Sequence, residues 1–367
     1  MTESFYKKTP YILLIILLLG QVISAQDNKS DTTDSGGVKW FGYPFAFYTP
    51  ETSLAFGAGG VLEFQADSSS DPSSLTASGF YTINNQYNIT LKPQFYLQEN
   101  RYLIQAKLNF GEEFDYFNGI GPTSPEITND QYVQGNFIVN LKFLSQIFDK
   151  RFKLGGIYDF RKMNVLDKEG NPILDSNAVE GSNGGITSGL GFIASWDTRD
   201  NIFYPSKGGY YQISTTYYSQ ALGSDFDYNK YLFDFRRYHK LAENHILAIQ
   251  TYLMLEFAYP PFYELALLGG DKEMRGYLKG RYRDKAYYTV QAEYRVANVF
   301  GRFGFVLFAG AGDVASSVEK FAIDTIKPTV GFGIRYRLDE AQKLDIRMDI
   351  GFGRDTNGIY FGVDQAF

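Results

Sequence analysis

Long runs in which apolar and polar residues alternate constrain the fold of this chain more than any other feature. From Tyr287 to Val296 the even positions carry Tyr, Val, Ala, Tyr and Val, and the odd positions carry Tyr, Thr, Gln, Glu and Arg. Residues 329–338 and 344–350 repeat the pattern, with arginine and aspartate among the polar residues. Because successive side chains of a strand point to opposite faces, a period of two predicts β-strands.

The length of these runs favours a membrane barrel over a soluble sandwich. Strands of soluble sheets average about five or six residues, whereas a tilted strand needs about 9–11 residues to cross a bilayer. The runs here are of the longer kind. The chain also has 29 Tyr and 32 Phe among its 367 residues, and amphipathic rings settle at the two water–lipid boundaries of a membrane. The sequence therefore predicts an all-β fold, a transmembrane antiparallel β-barrel.

Counting the alternating runs backward from the carboxyl end predicts sixteen strands. They are residues 39–49, 54–66, 75–83, 86–97, 101–111, 131–144, 151–163, 186–197, 208–219, 226–239, 245–258, 285–296, 302–314, 326–338, 343–354 and 357–367. An even number places both chain ends on the periplasmic side. It also places the long connections 112–130, 164–185 and 259–284 on the extracellular side, where outer-membrane barrels carry their long loops.

Residues 1–25 have the layout of a secretory signal peptide. Lys7 and Lys8 precede the apolar run 11–19, and Ala25 ends a small-residue cleavage site. The alternative is an uncleaved membrane anchor, but the run is short for a helical span, which takes about 20 residues. Residues 26–38 are polar and predict a disordered periplasmic leader, which leaves residues 39–367 for the barrel. We therefore predict export to the outer membrane of a Gram-negative bacterium through a cleaved signal peptide.

The last residues of the sequence support this localisation. Ile359, Phe361, Val363 and Phe367 fall on one face of the predicted last strand. A final strand that ends in an aromatic residue is the usual recognition signal of bacterial outer-membrane barrels. Phe361 and Phe367 are therefore the predicted terminal-strand signal.

The composition excludes several classes of protein. The sequence has no cysteine, which excludes disulfide scaffolds, cysteine-ligated metal sites and thiol nucleophiles. Its net charge of −6 argues against nucleic acid as a partner, which needs a concentrated basic patch. His239 and His245 are the only histidines, and the sequence lacks the Gly-x-Ser-x-Gly and His-Glu-x-x-His motifs of hydrolases. We expect no catalytic residues, no metal site and no cofactor.

Three segments resemble the BamA/TamA superfamily of outer-membrane assembly barrels, the bacterial surface antigen type. Residues 196–201 (WDTRDN) and the turn that follows are similar to the family's acidic strand end and its periplasmic Pro-x-x-Gly turn. Residues 268–277 (LGGDKEMRGY) are similar to its Arg-Gly-aromatic loop signature. Residues 292–295 (AEYR) and 308–314 (FAGAGDV) complete the resemblance, which spans the mature chain in strand order. The turn motif comprises Asp197, Arg199, Asp200, Pro205 and Gly208.

The resemblance implies that the loop arginine folds into the lumen and contacts acidic side chains of neighbouring strands. Arg275, Gly276 and Tyr277 match the loop signature, and Glu293 is the matching acid. A guanidinium group enclosed in a barrel needs a carboxylate, and a bidentate pair fixes its orientation. The chain departs from the family at the second acid, because Gly310 stands where the family commonly has aspartate. The candidates for its substitute are Asp313, Asp345 and Asp349.

Each of these features also has a simpler interpretation. Arg275 fits a loop that plugs the pore and takes no part in handling substrates. The acidic residues of the turn motif fit a cation site, but beside a Pro-Gly turn such residues more often cap the local backbone. The charges predicted for the lumen fit ion selection, but opposite charges in a wet lumen more often pair and stiffen the wall. These charged residues are Glu293, Arg295, Arg335, Arg337, Asp345, Arg347 and Asp349.

The resemblance implies a barrel that assists the insertion or translocation of polypeptides, or of lipids, at the outer membrane. A weak seam between strands 39–49 and 357–367 would open and offer an edge that templates an incoming strand, and Gly358 and Gly362 would loosen the last strand. The alternative is a passive or plugged pore, or a scaffold subunit, without insertase activity. It is favoured because residues 26–39 leave no room for the periplasmic POTRA domains of assembly barrels. The expected partners are outer-membrane lipids, polypeptide substrates and periplasmic or lipoprotein accessory subunits, with no nucleic acid.

Overall fold

The computed structural model describes residues 38–49, 53–67, 69–127, 130–168, 170–340 and 343–367. The predicted signal peptide and residues 26–37 of the predicted leader lie outside these residues, so both remain predictions. The described residues form eighteen strands and one short α-helix. The strands are β1 (Lys39–Thr49), β2 (Ser53–Phe64), β3 (Ser73–Thr82), β4 (Tyr87–Leu97), β5 (Tyr102–Tyr116), β6 (Gln131–Gln146), β7 (Phe152–Asp167), β8 (Gly184–Asp197), β9 (Gly208–Tyr218), β10 (Tyr228–Ala242), β11 (His245–Ala258), β12 (Ala266–Leu268), β13 (Tyr282–Asp284), β14 (Ala286–Phe300), β15 (Phe303–Ala315), β16 (Lys327–Asp339), β17 (Leu344–Gly353) and β18 (Thr356–Val363), and the helix is α1 (Pro172–Asp175).

Sixteen of the strands form one antiparallel sheet whose order follows the chain. The exceptions are β12 and β13, which pair with each other in a short hairpin within the connection from β11 to β14. The prediction of an all-β fold with sixteen long strands is confirmed. Each predicted run overlaps one strand of the sheet. The largest difference is at β5, which continues to Tyr116.

The sheet buries its polar face and exposes its apolar face. In β17, Asp345, Arg347 and Asp349 are 2%, 1% and 0% exposed, whereas Met348 between them is 37% exposed. In β16, the side chain of Arg335 is buried and that of Tyr336 is exposed. A soluble protein buries the opposite face, because water stabilises charges and not apolar surface. The arrangement is that of a barrel with a charged lumen and an apolar surface toward lipid.

The sheet curves around the connection between β11 and β14, residues 259–285, which is named here the lumen loop. At one side of this loop, Arg283 Nη2 donates to the carbonyl oxygen of Tyr116 at the end of β5 (2.5 Å). At the other side, the backbone N–H of Gly276 donates to the hydroxyl of Tyr360 in β18 (2.8 Å). A single loop reaches both strands because they lie on walls that enclose it.

The long connections pack together at one end of the barrel. Phe117, Leu174 and Phe262 come from the connections 117–130 and 168–183 and from the lumen loop, and they are buried in one apolar cluster. Asn171 joins two of these connections. Its side chain caps α1 by accepting from the N–H of Leu174 (3.1 Å) and donates to the carbonyl oxygen of Phe117 (3.0 Å). No helix among the described residues is long and apolar enough to span a membrane.

The last strand is shorter than predicted. β18 ends at Val363, and the next residue, Asp364, has a left-handed backbone with φ of 72°. Phe361 faces outward and is 42% exposed, whereas Phe367 is 5% exposed and packs inside the barrel against Tyr238. The expectation that Phe361 and Phe367 share one face of the strand is therefore wrong, because the turn at Asp364 directs the following residues into the lumen.

Candidate functional site

The tip of the lumen loop places an arginine against the inner wall of the barrel. The Arg275 side chain is fully buried, and its Nη1 donates to Asp349 Oδ2 at 2.7 Å. Its Nη2 donates to Glu293 Oε1, and the guanidinium carbon lies 3.7 Å from the centre of the Phe308 ring. The structure thus brings Arg275 and Glu293 together and adds a second carboxylate and an aromatic face.

Asp349 supplies the second acid for the loop arginine. Of the other two candidates, Asp313 accepts from Lys327 Nζ (2.7 Å) and Asp345 accepts from Gln365 Nε2 (2.8 Å). The carboxylate of Asp349 has room because the paired residue on β16 is Gly333, where a Cβ atom would overlap Asp349 Oδ1. An acid two strands farther along the wall therefore takes the place of the aspartate that is missing at Gly310.

The same two carboxylates also hold the arginines of the wall. Arg295 Nε donates to Glu293 Oε2 (2.7 Å), and both Arg335 (2.5 Å) and Arg347 (2.9 Å) donate to Asp349 through their Nη1 atoms. Removing one partner from a buried ion pair costs about 3–5 kcal/mol, because the other charge stays buried. The tip arginine is therefore part of a network, and its release would leave two acids shared only among wall arginines.

The residues beside Arg275 fit closely against the last strands. Gly276 has a φ of 111°, and a Cβ atom there would lie 2.7 Å from the backbone carbon of Phe352 in β17. Only glycine allows both this conformation and this approach. The hydroxyl of Tyr277 donates to the carbonyl oxygen of Pro328 (2.9 Å) and accepts from the N–H of Arg354 (2.8 Å). The tip therefore contacts residues of every strand from β14 to β18.

The opposite side of the lumen loop has its own anchors. Glu264 accepts from Lys230 Nζ on β10 (2.6 Å) and from Arg161 Nη1 on β7 (3.2 Å). Burial raises the pKa of Glu264, but these two cations outweigh it and hold the pKa of this carboxyl below its usual range. Arg281 Nη2 donates to the carbonyl oxygen of Ser124 in the connection after β5 (3.0 Å). The loop therefore crosses the lumen and is bound on facing walls.

The sequence matches the Omp85 superfamily domain over residues 55–367. The chain belongs to the Omp85 superfamily. The predicted kinship with outer-membrane assembly barrels is confirmed. Omp85 barrels sit in the bacterial outer membrane, act with polypeptide substrates and accessory subunits, and are not as a rule classical enzymes.

Two solved Omp85 structures share the fold. BamA from Haemophilus ducreyi lacking POTRA domains 1–3 is 14% identical, with a TM-score of 0.56 over 90% of this chain and 69% of that chain. CdiB from Acinetobacter baumannii is 12% identical, with a TM-score of 0.56 over 89% of this chain and 59% of that chain. The chain thus spans less than two thirds of the length of CdiB. Comparison with curated proteins finds no match.

In the predicted periplasmic turn of this Omp85 barrel, the acidic side chains form their hydrogen bonds within the turn itself. Asp197 accepts from Arg199 Nε (2.9 Å) and Nη2 (2.7 Å), and Asp200 accepts from the N–H of Ser206 (2.8 Å). Gly208 has a φ of 92°, and a Cβ atom there would overlap the carbonyl oxygen of Thr198. Pro205, which lies between Asp200 and Gly208 in the sequence, is buried. The acids are occupied by the turn itself, which favours the capping interpretation over the cation site.

Several residues of the site were not identified from the sequence. Asp271 accepts from Arg347 Nη2 (2.8 Å), and Tyr360 contacts the tip from the last strand. Asp271 lies within the recognised segment 268–277, so its position was a usable signal, whereas an alternating strand gives no reason to single out Tyr360. In the part of the chain that the structure describes, no three His, Asp or Glu side chains converge as a metal site.

Proposed function

We propose that this Omp85 barrel assists the insertion or translocation of polypeptides at the outer membrane, with lipids as an alternative cargo. The observation that carries the proposal is the docking of the loop tip on the inner wall of β14–β18. These strands lead to one end of the sheet, so the tip braces the wall beside the predicted seam between β1 and β18.

The physical basis is the demand for hydrogen bonds in lipid. An edge strand presents unpaired N–H and C=O groups, and in a bilayer these groups must find partners within protein. An incoming strand meets this demand when it pairs with the edge of β18. Because the loop tip is docked on β14–β18, the edge of β18 stays in place while its pairing partner changes from β1 to the incoming strand.

The glycines of the last strand have a second role beside the flexibility predicted for them. A Cβ atom at Gly362 would lie 2.9 Å from Arg347 Nε, and one at Gly358 would overlap the Tyr360 hydroxyl. Both side chains contact the lumen loop. Gly358 and Gly362 therefore leave space for Tyr360 and Arg347, which bond the last two strands to the lumen loop.

Depletion in the native host tests the proposal. We expect the amount of folded outer-membrane protein to fall, because unassisted insertion is slow, and restored expression of the wild-type chain to recover it. Comparing heated and unheated outer-membrane fractions by electrophoresis separates folded from unfolded barrels. An unchanged profile after depletion would remove the main support for an insertion role.

The lumen-crossing loop also favours a second function, a plugged pore or scaffold subunit without insertase activity. Its anchors at Arg275 and Glu264 lie on different walls, so the loop obstructs the path through the barrel. In planar bilayers, the Arg275→Ala variant should then show a larger steady conductance than the wild type. Under this second function, depletion changes permeability and leaves the folded outer-membrane proteins unchanged.

A further inference from the structure

The outward face of β10 carries basic side chains where the strand approaches its short turn to β11. Asp234 and Tyr238 are 5% and 1% exposed and face the lumen, whereas Phe235, Arg237 and His239 alternate with them on the exposed face. Within the described residues, no carboxylate pairs with Arg237. The turn that follows β10 is short, so this end of the strand lies at the periplasmic side of an outer-membrane barrel.

Aromatic residues border Arg237 on the side of β9. Arg237 is paired with Gly209, and Phe235 is paired with Tyr211. A Cβ atom at Gly209 would lie 2.8 Å from the Tyr211 hydroxyl, so this hydroxyl covers the glycine beside Arg237. The Tyr211 ring centre lies 5.7 Å from that of Trp196 and 6.0 Å from that of Phe235. Such an outward aromatic row is typical of the level where acyl chains meet headgroups.

The side toward β11 and β14 adds further hydrogen-bonding groups at the same end. His239 is paired with Leu247, which is paired in turn with Tyr294. The Tyr294 hydroxyl lies 2.6 Å from His245 Nδ1. Both histidines of the chain are thus on this surface. The one acid in the neighbouring turn is Glu243, which follows the strand and is not part of its outward face.

We propose that the surface formed by Tyr211, Arg237, His239 and Tyr294 binds the phosphate group of an anionic glycerophospholipid in the periplasmic leaflet. Arginine is favoured for phosphate recognition because its planar fork donates two parallel hydrogen bonds. An outward arginine is costly in the acyl region and tolerated near the interface, so its charge lies at headgroup depth. The Tyr211 hydroxyl beside Arg237 supplies an uncharged donor, and the Tyr294 hydroxyl lies two strands farther along the same surface. The rings of Trp196 and Phe235 contact the acyl chains.

Quenching of Trp196 fluorescence by brominated lipids tests this site directly. The sequence has two tryptophans, so Trp40→Phe leaves Trp196, beside Tyr211, as the only reporter. The purified full chain is reconstituted into vesicles of phosphatidylcholine mixed with brominated phosphatidylglycerol or brominated phosphatidylcholine. We expect phosphatidylglycerol to associate about fivefold more strongly at Trp196, the effect of one basic residue at an anionic membrane.

Variants of the charged group make the test specific. In the Trp40→Phe chain, Arg237→Gln should reduce the lipid preference to about one, and Arg237→Lys should keep most of it. Arg302→Gln is the matched control, because Arg302 is an exposed arginine in the short turn between β14 and β15. It should leave the preference unchanged. Equal association of both lipids, or equal loss in Arg302→Gln, would overturn the proposal.

Two further experiments distinguish the lipid from other anionic ligands, namely free phosphate and an acidic polypeptide. Inorganic phosphate should lower the preference no more than chloride at matched ionic strength. A selective effect of phosphate would assign the site to the free ion and overturn the lipid assignment. Polyglutamate added to the detergent-solubilised chain should bind equally to the wild type and to Arg237→Gln, whereas Arg237-dependent binding without a lipid preference would assign the surface to an acidic polypeptide.

Discussion

Replacing Asp349 by asparagine should release the tip of the lumen loop. Its carboxylate accepts from Arg275 (2.7 Å), Arg335 (2.5 Å) and Arg347 (2.9 Å) and is fully buried. The substitution leaves Arg275 with Glu293 alone and leaves Arg335 with no acidic partner among the described residues. Loss of one partner from a buried pair costs about 3–5 kcal/mol, and the wet lumen favours the lower end of this range.

Trypsin cleavage of the lumen loop measures this release. Lys272 and Lys279 flank the tip within the lumen loop, so cleavage there requires the loop to leave the barrel. When reclosing is faster than cutting, the cleavage rate follows the open population. A loss of about 3 kcal/mol then raises the rate by about a hundredfold.

A second buried aspartate serves as the control for this prediction. Asp234 is 5% exposed and pairs with Arg236 on its own strand, where it does not contact the loop tip. Asp234→Asn should leave cleavage of the loop unchanged. If Asp349→Asn changed the cleavage rate by less than about threefold, the loss would be below about 1 kcal/mol, and the shared carboxylate of Asp349 would not be what holds the loop tip on the wall.

Three further predictions concern the tip and the last residues. In the cleavage assay, Gly276→Ala should weaken the docking of the loop tip by about 1–3 kcal/mol. The control is Gly121→Ala, because Gly121 also has a positive φ of 115° but has open space around it, and this variant should leave the tip docked. Tyr360→Phe removes the acceptor for the N–H of Gly276 and should raise cleavage about tenfold, or about 1.4 kcal/mol. Burial raises the pKa of Asp364 from 3.8 to about 6 against the opposing charge of Lys272. A carboxyl group whose pKa is higher in the folded than in the unfolded chain stabilises the fold fully below pH 3.8. This contribution to the free energy of unfolding is lost as the pH rises through about 6. Asp364→Asn should therefore stabilise the barrel near neutral pH by about 1 kcal/mol, discounted for partial exposure, and flatten the dependence of the melting temperature on pH between these values.

The fold could be predicted from the sequence because each strand carries its own local signal. The alternation of Asp345, Arg347 and Asp349 with apolar residues identified both the strand and its lumen face, and the structure places all three in the lumen. The sequence does not predict the end of β18, because Phe367 continues the apolar pattern and the left-handed backbone of Asp364 has no strong sequence signal. A favourable pattern of side chains does not reveal where the backbone turns.

The site was harder to predict than the fold because its contacts join distant parts of the chain. The family resemblance predicts that Arg275 contacts Glu293, and the structure places the two side chains in contact. The choice of Asp349 among three candidate acids depends on the register of four strands and on the space above Gly333. Neither quantity is local, so neither could be obtained from spacing in the sequence.

The most direct test of an insertion role is the rate at which an unfolded outer-membrane barrel becomes protease-resistant in liposomes that contain this protein. A pair of cysteines, one in β1 and one in β18, locks the predicted seam, and no native cysteine competes with this pair. We predict insertion faster than in empty liposomes, its loss when the pair is oxidised and its recovery on reduction. Insertion that continues through an oxidised seam, or that never exceeds the rate in empty liposomes, would contradict the account.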